Sequence, residues 1–484
     1  MYRTVPQLDS VISLLATWFP QLCTRTRLPE TSVEGRPVFA LRLRAGEEGD
    51  RRGVLFVGGT HARELMNPDA LVELAVDLVV SRLKGTDVVY GGRTWTAQEV
   101  GLVLESLDLW FVPCSNPDGR NRVLTIDNMW RKNLRDNPGT SCDGVDLNRN
   151  ADLLWGVTEG QTSCSPCSDV FVGSGAFSEP ETRNVKYLLD TRNIHSFVDV
   201  HSFSELVLYP WGHAHSQTSD PAQRFTSLPT GTCAPIGVPG HREYITPQDL
   251  LRFTTVGQRV VDAIAAVRGR TYTPQTGRAL YATTGVQSDY AYSRHIADPA
   301  LHKTYGFTLE TGPPVGTVED SFHPPDPTLV KRDAKAGLLA LAQQSVCAFD
   351  LIGLRLLGRR TEVDALRRVR EEVLASTEAG REWIALIERV ELPVASLLFT
   401  DEQLAGRAAE LIERAGRRFE GETSVVSDED VDLGRALLDE LAERAGAEDA
   451  RVRTDLEAVG AALEQARKMP SAEVLRQLTS RGPL

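Results

Sequence analysis

The sequence predicts an α/β domain over residues 1–349, a mixed, mostly parallel twisted sheet with helices on both faces, followed by an all-α helical domain over residues 350–484. Two observations predict the first domain. Short apolar runs, "VLFVG" (54–58), "LDLWFVP" (107–113), "FVDVH" (197–201) and "GFTLETG" (306–312), read as strands. They alternate with stretches of helical periodicity such as "PDALVELAVDLVVSRL" (68–83) and "PETRNVKYLLD" (180–190). Strands separated by helices require a sheet covered on both faces. A third observation predicts the second domain: after Asp350 apolar residues recur every three or four positions among abundant Ala, Leu, Glu and Arg, with few aromatics. That pattern is a helical bundle.

At 484 residues the chain exceeds a usual single domain, so two domains are the default. A hydrophobic share of 41% and a charged share of 25% suffice for a sizeable core. The net charge of -13 argues against a nucleic-acid partner, which needs a basic face. No segment approaches the roughly 20 apolar residues of a membrane span. The N-terminal "MYRTVPQLDSVISLLATWFPQL" reads as an amphipathic helix rather than a signal peptide. The expectation is a cytoplasmic protein as the chain stands, or a secreted one if an export signal precedes it. Seven cysteines leave an odd one out, so composition does not settle the redox compartment.

Within the first domain two loop-rich regions, 133–175 and 211–247, interrupt the pattern, and such loops are where binding often happens. In the second, segments beginning at Thr361, Arg381, Asp401, Asp432 and Asp455 are helical, and "EGETSVVSDEDVD" (420–432) reads as an acidic loop. Residues 351–484 carry 20 Lys and Arg against 27 Asp and Glu, a mildly acidic and ion-paired bundle.

The chemistry concentrates in "GGTHARELMNP" (58–68). His61 and Glu64 follow a strand end, with Asn67-Pro68 resembling the cap and first residue of a helix. His201 ends a second apolar run, and open α/β sheets bind ligands at strand C-termini. A His, Glu, His set on zinc leaves a position for water, the pattern of a hydrolytic site. Glu310, near the end of "YGFTLE", is a carboxylate able to take the proton of that water. Arg131 in "MWRKN" and Arg149 beside Asn148 in "GVDLNRN" offer planar forks suited to a carboxylate or an oxyanion. Tyr281 lies in "LYATTGVQSDY", a stretch able to close over a substrate. Singly, each has an ordinary reading: a core histidine, a solvated carboxylate, Arg131 paired with Asp127 or Asp136, Arg149 paired with Asp143 or Asp146. Those readings do not predict the whole set in one order.

"HARE", "NPDGR", "MWRKN", "GVDLNRN", "VHSFSELVLYPWG", "LYATTGVQSDY" and "TLETG" together resemble the zinc metallocarboxypeptidases of the carboxypeptidase A/B type, over about residues 1–349. The resemblance implies one zinc ion held by His61, Glu64 and His201. It implies that Glu310 is general base and then general acid, and that Arg131 stabilises the oxyanion. Arg63 would line the cleft, and Asn148, Arg149 and Tyr281 would grip the free C-terminal carboxylate of a peptide or protein substrate. The residue at the pocket floor, acidic in enzymes that remove Lys or Arg, matches Ser288, so a neutral pocket for aliphatic or aromatic residues is expected unless the adjacent Asp289 turns inward. Cys142 and Cys167 match a disulfide of secreted relatives, worth about 3 kcal/mol on loop-closure grounds. Cys164, in "CSPC", has no such match and is open to disulfide exchange or adventitious metal.

The resemblance does not reach the helical domain, for which a stabilising appendage, a gating domain and a protein-binding module compete, the first being the plainest. His213 and His215, two residues apart, could chelate a metal in a flexible loop. Structural readings are preferred for them and for His195, His241, His295, His302 and His323. Besides a carboxypeptidase, hydrolysis of a specialised amide such as a cell-wall peptide, or a gated regulatory protein, remains open at this level.

Overall fold

The computed structural model describes residues 2–46, 49, 51–347, 366, 368–419, 425–445 and 450–483. The chain divides into two compact units, Met1–Ser345 and Val346–Leu484. The boundary expected at 349/350, the start of the helical segment at Thr361, and residues 420–424 of the acidic stretch lie outside the described residues.

An eight-stranded sheet organises the first unit. In chain order its strands are β1 (Cys23–Thr31), β2 (Pro37–Leu43), β3 (Arg52–Gly58), β6 (Leu107–Val112), β7 (Ile194–His201), β8 (Leu206–Tyr209), β11 (Thr273–Thr276) and β12 (Tyr305–Glu310). The short pairs β4 (Val88–Tyr90) with β5 (Arg93–Trp95), and β9 (His215–Gln217) with β10 (Arg242–Tyr244), stand apart from it. The spatial order is β1-β2-β6-β3-β7-β12-β8-β11. The four central strands β6, β3, β7 and β12 run parallel, with antiparallel neighbours at β2 and β8.

The central strands are apolar on both faces because both are covered. On one side Leu55 and Val57 of β3, Trp110 and Val112 of β6 and Phe197 of β7 pack with Val185, Leu188 and Leu189 of α5 (Pro180–Thr191) and with Tyr290 and Ala291 of α8 (Gln287–Ala297). The alternate residues, with the Phe56 and Phe111 rings tilted against each other at 5.2 Å, are equally buried. Helix α10 (Thr328–Ser345) packs on both α2 (Met66–Lys84) and α6 (Pro247–Arg268), and α2 and α10 also pack on β3 and β6. Each buried Val, Leu or Phe contributes roughly 1.5–3 kcal/mol before its conformational cost.

The start of α2 departs from expectation. Asn67 is not its cap: the helix begins at Met66, and Asn67 is buried inside it. Its amide donates to Ser202 Oγ (3.2 Å) and accepts from Thr311 Oγ1 (2.9 Å), tying the first turn of α2 to the ends of β7 and β12.

The described residues of the second unit include the α-helices α11 (Glu378–Thr400), α12 (Glu402–Phe419), α13 (Asp428–Ala445), α14 (Ala450–Gln465) and α15 (Ser471–Ser480), preceded by short π and 3-10 turns at Val369–Val373 and Leu374–Ser376. α11 packs on each of the other four, burying Leu386 and Leu398, while Trp383 donates its indole N–H to Arg481 O (2.9 Å). Arg389 grips Asp455 with two bonds of 2.7 and 2.8 Å. The acidic stretch does not stay a loop to its end. Ser427 accepts from the Asp430 N–H (3.2 Å), Asp430 accepts from the Ser427 N–H (2.9 Å), and the run Asp428–Asp430 sits at the positive N-terminus of α13. No described helix is long and apolar enough to cross a membrane.

One close approach ties the sheet to the substrate side. A Cβ added at Gly306 of β12 would stand 1.9 Å from Ser288 O in α8. Gly306→Ala is therefore expected to destabilise the protein by about 1–3 kcal/mol, read from the denaturation midpoint, with a rise in KM as Ser288 is pushed aside.

Candidate metal centre

Parallel register brings the chemistry to one rim of the sheet. Gly58, the last residue of β3, pairs with Val200, so the turn Gly59-Thr60-His61 emerges beside His201, which itself pairs with Glu310. Glu64 lies one turn further on, just ahead of α2. Gly59 takes φ +67°, and a Cβ there would press Pro68 at 3.1 Å, so the sharp exit from β3 needs glycine.

Three donor atoms converge. His61 Nδ1 is 2.7 Å from Glu64 Oε1, His201 Nδ1 is 3.0 Å from Glu64 Oε2, and the two Nδ1 atoms are 3.0 Å apart. The opposite ring nitrogens face carboxylates: His61 Nε2 is 3.1 Å from Asp146 Oδ1 and His201 Nε2 is 2.8 Å from Asp199 Oδ2. Carboxylates at Nε2 favour protons there and leave both Nδ1 lone pairs pointing at one spot, an arrangement that a divalent cation satisfies. All three side chains are buried. Burial opposes charge on His201, yet Asp199 and then Glu64 raise its pKa well above the usual value. Burial likewise opposes charge on Glu64, and His61 and then His201 hold it below the carboxylate range. The cluster calls for positive charge, so the residues fit a zinc ion.

Asp146 went unrecognised in the sequence as more than a partner for Arg149. Besides facing His61 it accepts from Arg131 Nε (3.1 Å) and NH2 (2.8 Å), and its Oδ1 accepts from the Asn148 N–H (2.9 Å), holding the turn Leu147–Arg149. Burial opposes its charge, but Arg131, then His61, keep its pKa well below the carboxylate range. Asp199 accepts from Thr60 Oγ1 (2.8 Å). Both acids stand in motifs, "GVDLNRN" and "FVDVH", so their spacing was the available signal.

The remaining residues divide. Asn148, Arg149, Tyr281, Ser288, Thr308 and Glu310 line one cavity. Arg149 is buried and donates to Gln161 O and Asn148 O, both at 2.6 Å, not to Asp143 or Asp146, while Tyr281 is 38% exposed. Gly285 (φ +68°) packs against the Arg149 carbonyl, where a Cβ would approach within 2.2 Å. Burial pushes the Glu310 carboxyl up to about 7, with Glu64 adding to the rise. Arg63 is outside this cavity's lining; it donates to Met129 O (3.3 Å) with its guanidinium 4.5 Å over Phe322. Arg131 pairs with Asp146 and with neither Asp127 nor Asp136.

Cys142 is bonded to Cys167. Cys164 is bonded to Cys233, a partner the sequence did not suggest, which removes Cys164 from exchange or metal chemistry and ties the 133–175 loop to the 211–247 loop. Cys23, Cys114 and Cys347 take no part in a disulfide.

The family model described as zinc carboxypeptidase matches residues 8–336. The chain is 29% identical over 336 residues to carboxypeptidase B of Astacus astacus, covering 66% of this chain and 93% of the relative. It is 28% identical over 324 residues to the inactive metallocarboxypeptidase ecm14 of Talaromyces marneffei, covering 64% of this chain and 50% of that one. The crystal structure of thrombin activatable fibrinolysis inhibitor superposes with a TM-score of 0.57 at 22% identity, covering 72% of this chain and 75% of that one, a likeness of fold.

Because Asp146 orients His61, Asp146→Asn is expected to weaken zinc binding 10- to 100-fold while the protein stays folded. Competitive titration with a chromogenic chelator measures it, and unchanged affinity would exclude the orienting role.

Proposed function

We propose, from the premise that the chain belongs to the zinc carboxypeptidase family and is a metallocarboxypeptidase acting on peptide or protein C-termini, that it is an active enzyme releasing neutral residues with Glu310 as its base. The observation carrying this reading is the single cavity that Glu310 shares with Arg149, Tyr281 and Ser288 beside the three candidate ligands. A family that includes relatives named inactive makes the residues themselves decisive. His61, Glu64, His201 and Glu310 are all present.

Zinc held by His61, Glu64 and His201 would supply Lewis acidity, polarising the scissile carbonyl and acidifying water. The chain does the rest. Arg149, with Asn148 and Tyr281, grips the substrate's terminal carboxylate and so fixes which peptide bond reaches the rim. Glu310 takes a proton from the attacking water and returns it to the leaving amine. Burial favours its neutral form, and positive charge nearby restores its basicity. Arg131, held charged by Asp146 and then Glu64 against the cost of burial, stabilises the developing oxyanion.

Neutral specificity rests on Ser288 and Asp289. Ser288 Oγ accepts from Thr308 Oγ1 (3.0 Å), an uncharged pair in the pocket lining. Asp289 Oδ2 accepts from the Gly212 N–H (2.7 Å), and burial pushes its carboxyl up to about 6. Asp289 also lines this cavity, but its Oδ2 is engaged by the Gly212 N–H, which reduces its pull on a Lys or Arg side chain. The helical unit buries an apolar core of its own, including Leu386, Leu398 and Leu404.

Glu310→Gln is expected to keep its zinc and lose 10²- to 10⁴-fold in kcat; near-normal turnover would remove Glu310 as base. In the wild type kcat/KM should rise with pH as Glu310 ionises, through an apparent pKa below the value of about 7 that burial and the surrounding charges impose on the metal-free site, since bound zinc lowers it. On peptides differing only in the last residue, release should favour Phe or Leu over Lys, vanish with a chelator, and fail when the terminal carboxylate is amidated. Equal cleavage of amidated peptides would refute anchoring by Arg149.

A further inference from the structure

A second convergence of metal-ligand atoms lies in the 211–247 segment, and neither the family match nor the candidate catalytic residues account for it. His213 Nε2 and His241 Nε2 each stand 3.0 Å from the same oxygen, Oε2 of Glu243. The other oxygen, Oε1, accepts from the Phe225 N–H (2.9 Å). The ligand atoms lie within 4.8 Å of one another. Glu243 is fully buried and His213 is 2% exposed. The partner of His213 is thus His241, distant in sequence, and His215, two residues away, is exposed.

We propose that His213, His241 and Glu243 bind a second divalent cation, zinc by donor chemistry, which fastens the 211–247 segment where it walls the substrate pocket. Two imidazoles and one carboxylate suit zinc. Glu243 and Asp289 are both buried, and among the described residues neither is paired with Lys or Arg, so a divalent cation held by the cluster would supply counter-charge to these carboxylates. His213 Nδ1 is buried without a partner whether or not metal binds, and so does not discriminate. Access exists: a cavity lined by Glu159, His215, Gly240 and Arg278 borders His213 and His241, giving a cation a route in and room for water as a further ligand. A fastener is also needed. β9 and β10 form a ladder of only three residue pairs, marginal alone. The neighbour of His213, Gly212, donates to Asp289 and lines the catalytic cavity, so order at the second site passes directly to the pocket wall.

The test uses the full chain with His61→Ala and His201→Ala together, which removes two of the three candidate catalytic ligands and leaves the second cluster intact. After loading with Zn²⁺ alone and desalting, metal analysis is expected to find one zinc per chain, against two in the wild type, and Zn²⁺ should raise the melting temperature. Adding His241→Ala and Glu243→Gln should abolish both retention and the thermal shift. Should that fourfold variant fail to fold, Co²⁺ in the double variant decides, the visible bands of a nitrogen- and oxygen-ligated low-coordinate ion being expected. A double variant that retains no zinc and shows no Co²⁺ bands, or a folded fourfold variant that still retains zinc, overturns the proposal, leaving the two histidines as hydrogen-bond donors to Glu243.

Discussion

Val200 pairs with Gly58 and Glu310 pairs with His201, and this parallel register of β3, β7 and β12 is the constraint on which the candidate site depends. A slip of one residue in either ladder would send His201 or Glu310 to the opposite face. The register is held by strands buried on both sides, by Asn67 bridging the ends of β7 and β12, and by glycines at 58, 59 and 306 where backbone or side chains crowd. The rigidity that stabilises the sheet is therefore also what places the ligands.

Charge burial is managed in layers. Two histidines and a glutamate converge, and behind them Asp146 bonds to the His61 ring while Asp199 stands 2.8 Å from the His201 ring as counter-charge. Asp146 is joined in turn to Arg131 and to the turn that carries Asn148 and Arg149. The candidate metal ligand His61, Arg131 and the turn carrying Asn148 and Arg149 thus share one buried acid. Changes at Asp146 would propagate to all three because the ion pairs are desolvated, where an unpaired charge is most costly.

The loops opposite the sheet receive a different treatment. Lacking long strands or helices, the 133–175 and 211–247 segments are held by Cys142–Cys167, by Cys164–Cys233 across the two, by the Trp211 indole N–H donating to Tyr244 O (3.2 Å), and by the cluster around Glu243. Loop-closure entropy makes such cross-links effective where local hydrogen bonding is sparse. They frame the pocket containing Ser288 and Gly212. The helical unit, by contrast, is held by amphipathic packing and by ion pairs such as Arg389 with Asp455.

What the sequence by itself determined follows from local pattern. Strand and helix alternation predicted the α/β sheet, three- and four-residue spacing predicted the helical unit, and motifs at strand ends marked His61, Glu64, His201 and Glu310 as a set. These signals survive in one dimension because periodicity and strand-end position are properties of short segments. The misread cap at Asn67 and the acidic run that becomes the start of α13 show where even local signals lose to packing and helix-end electrostatics. Only the tertiary structure decided that Asp146 serves His61 and Arg131 at once, that Cys164 meets Cys233, that Asp289 is spent on Gly212, and that His213 finds His241 and Glu243. Each joins residues far apart in the chain, and which distant side chains meet depends on how irregular loops pack on the sheet, for which the chain carries no repeating signal.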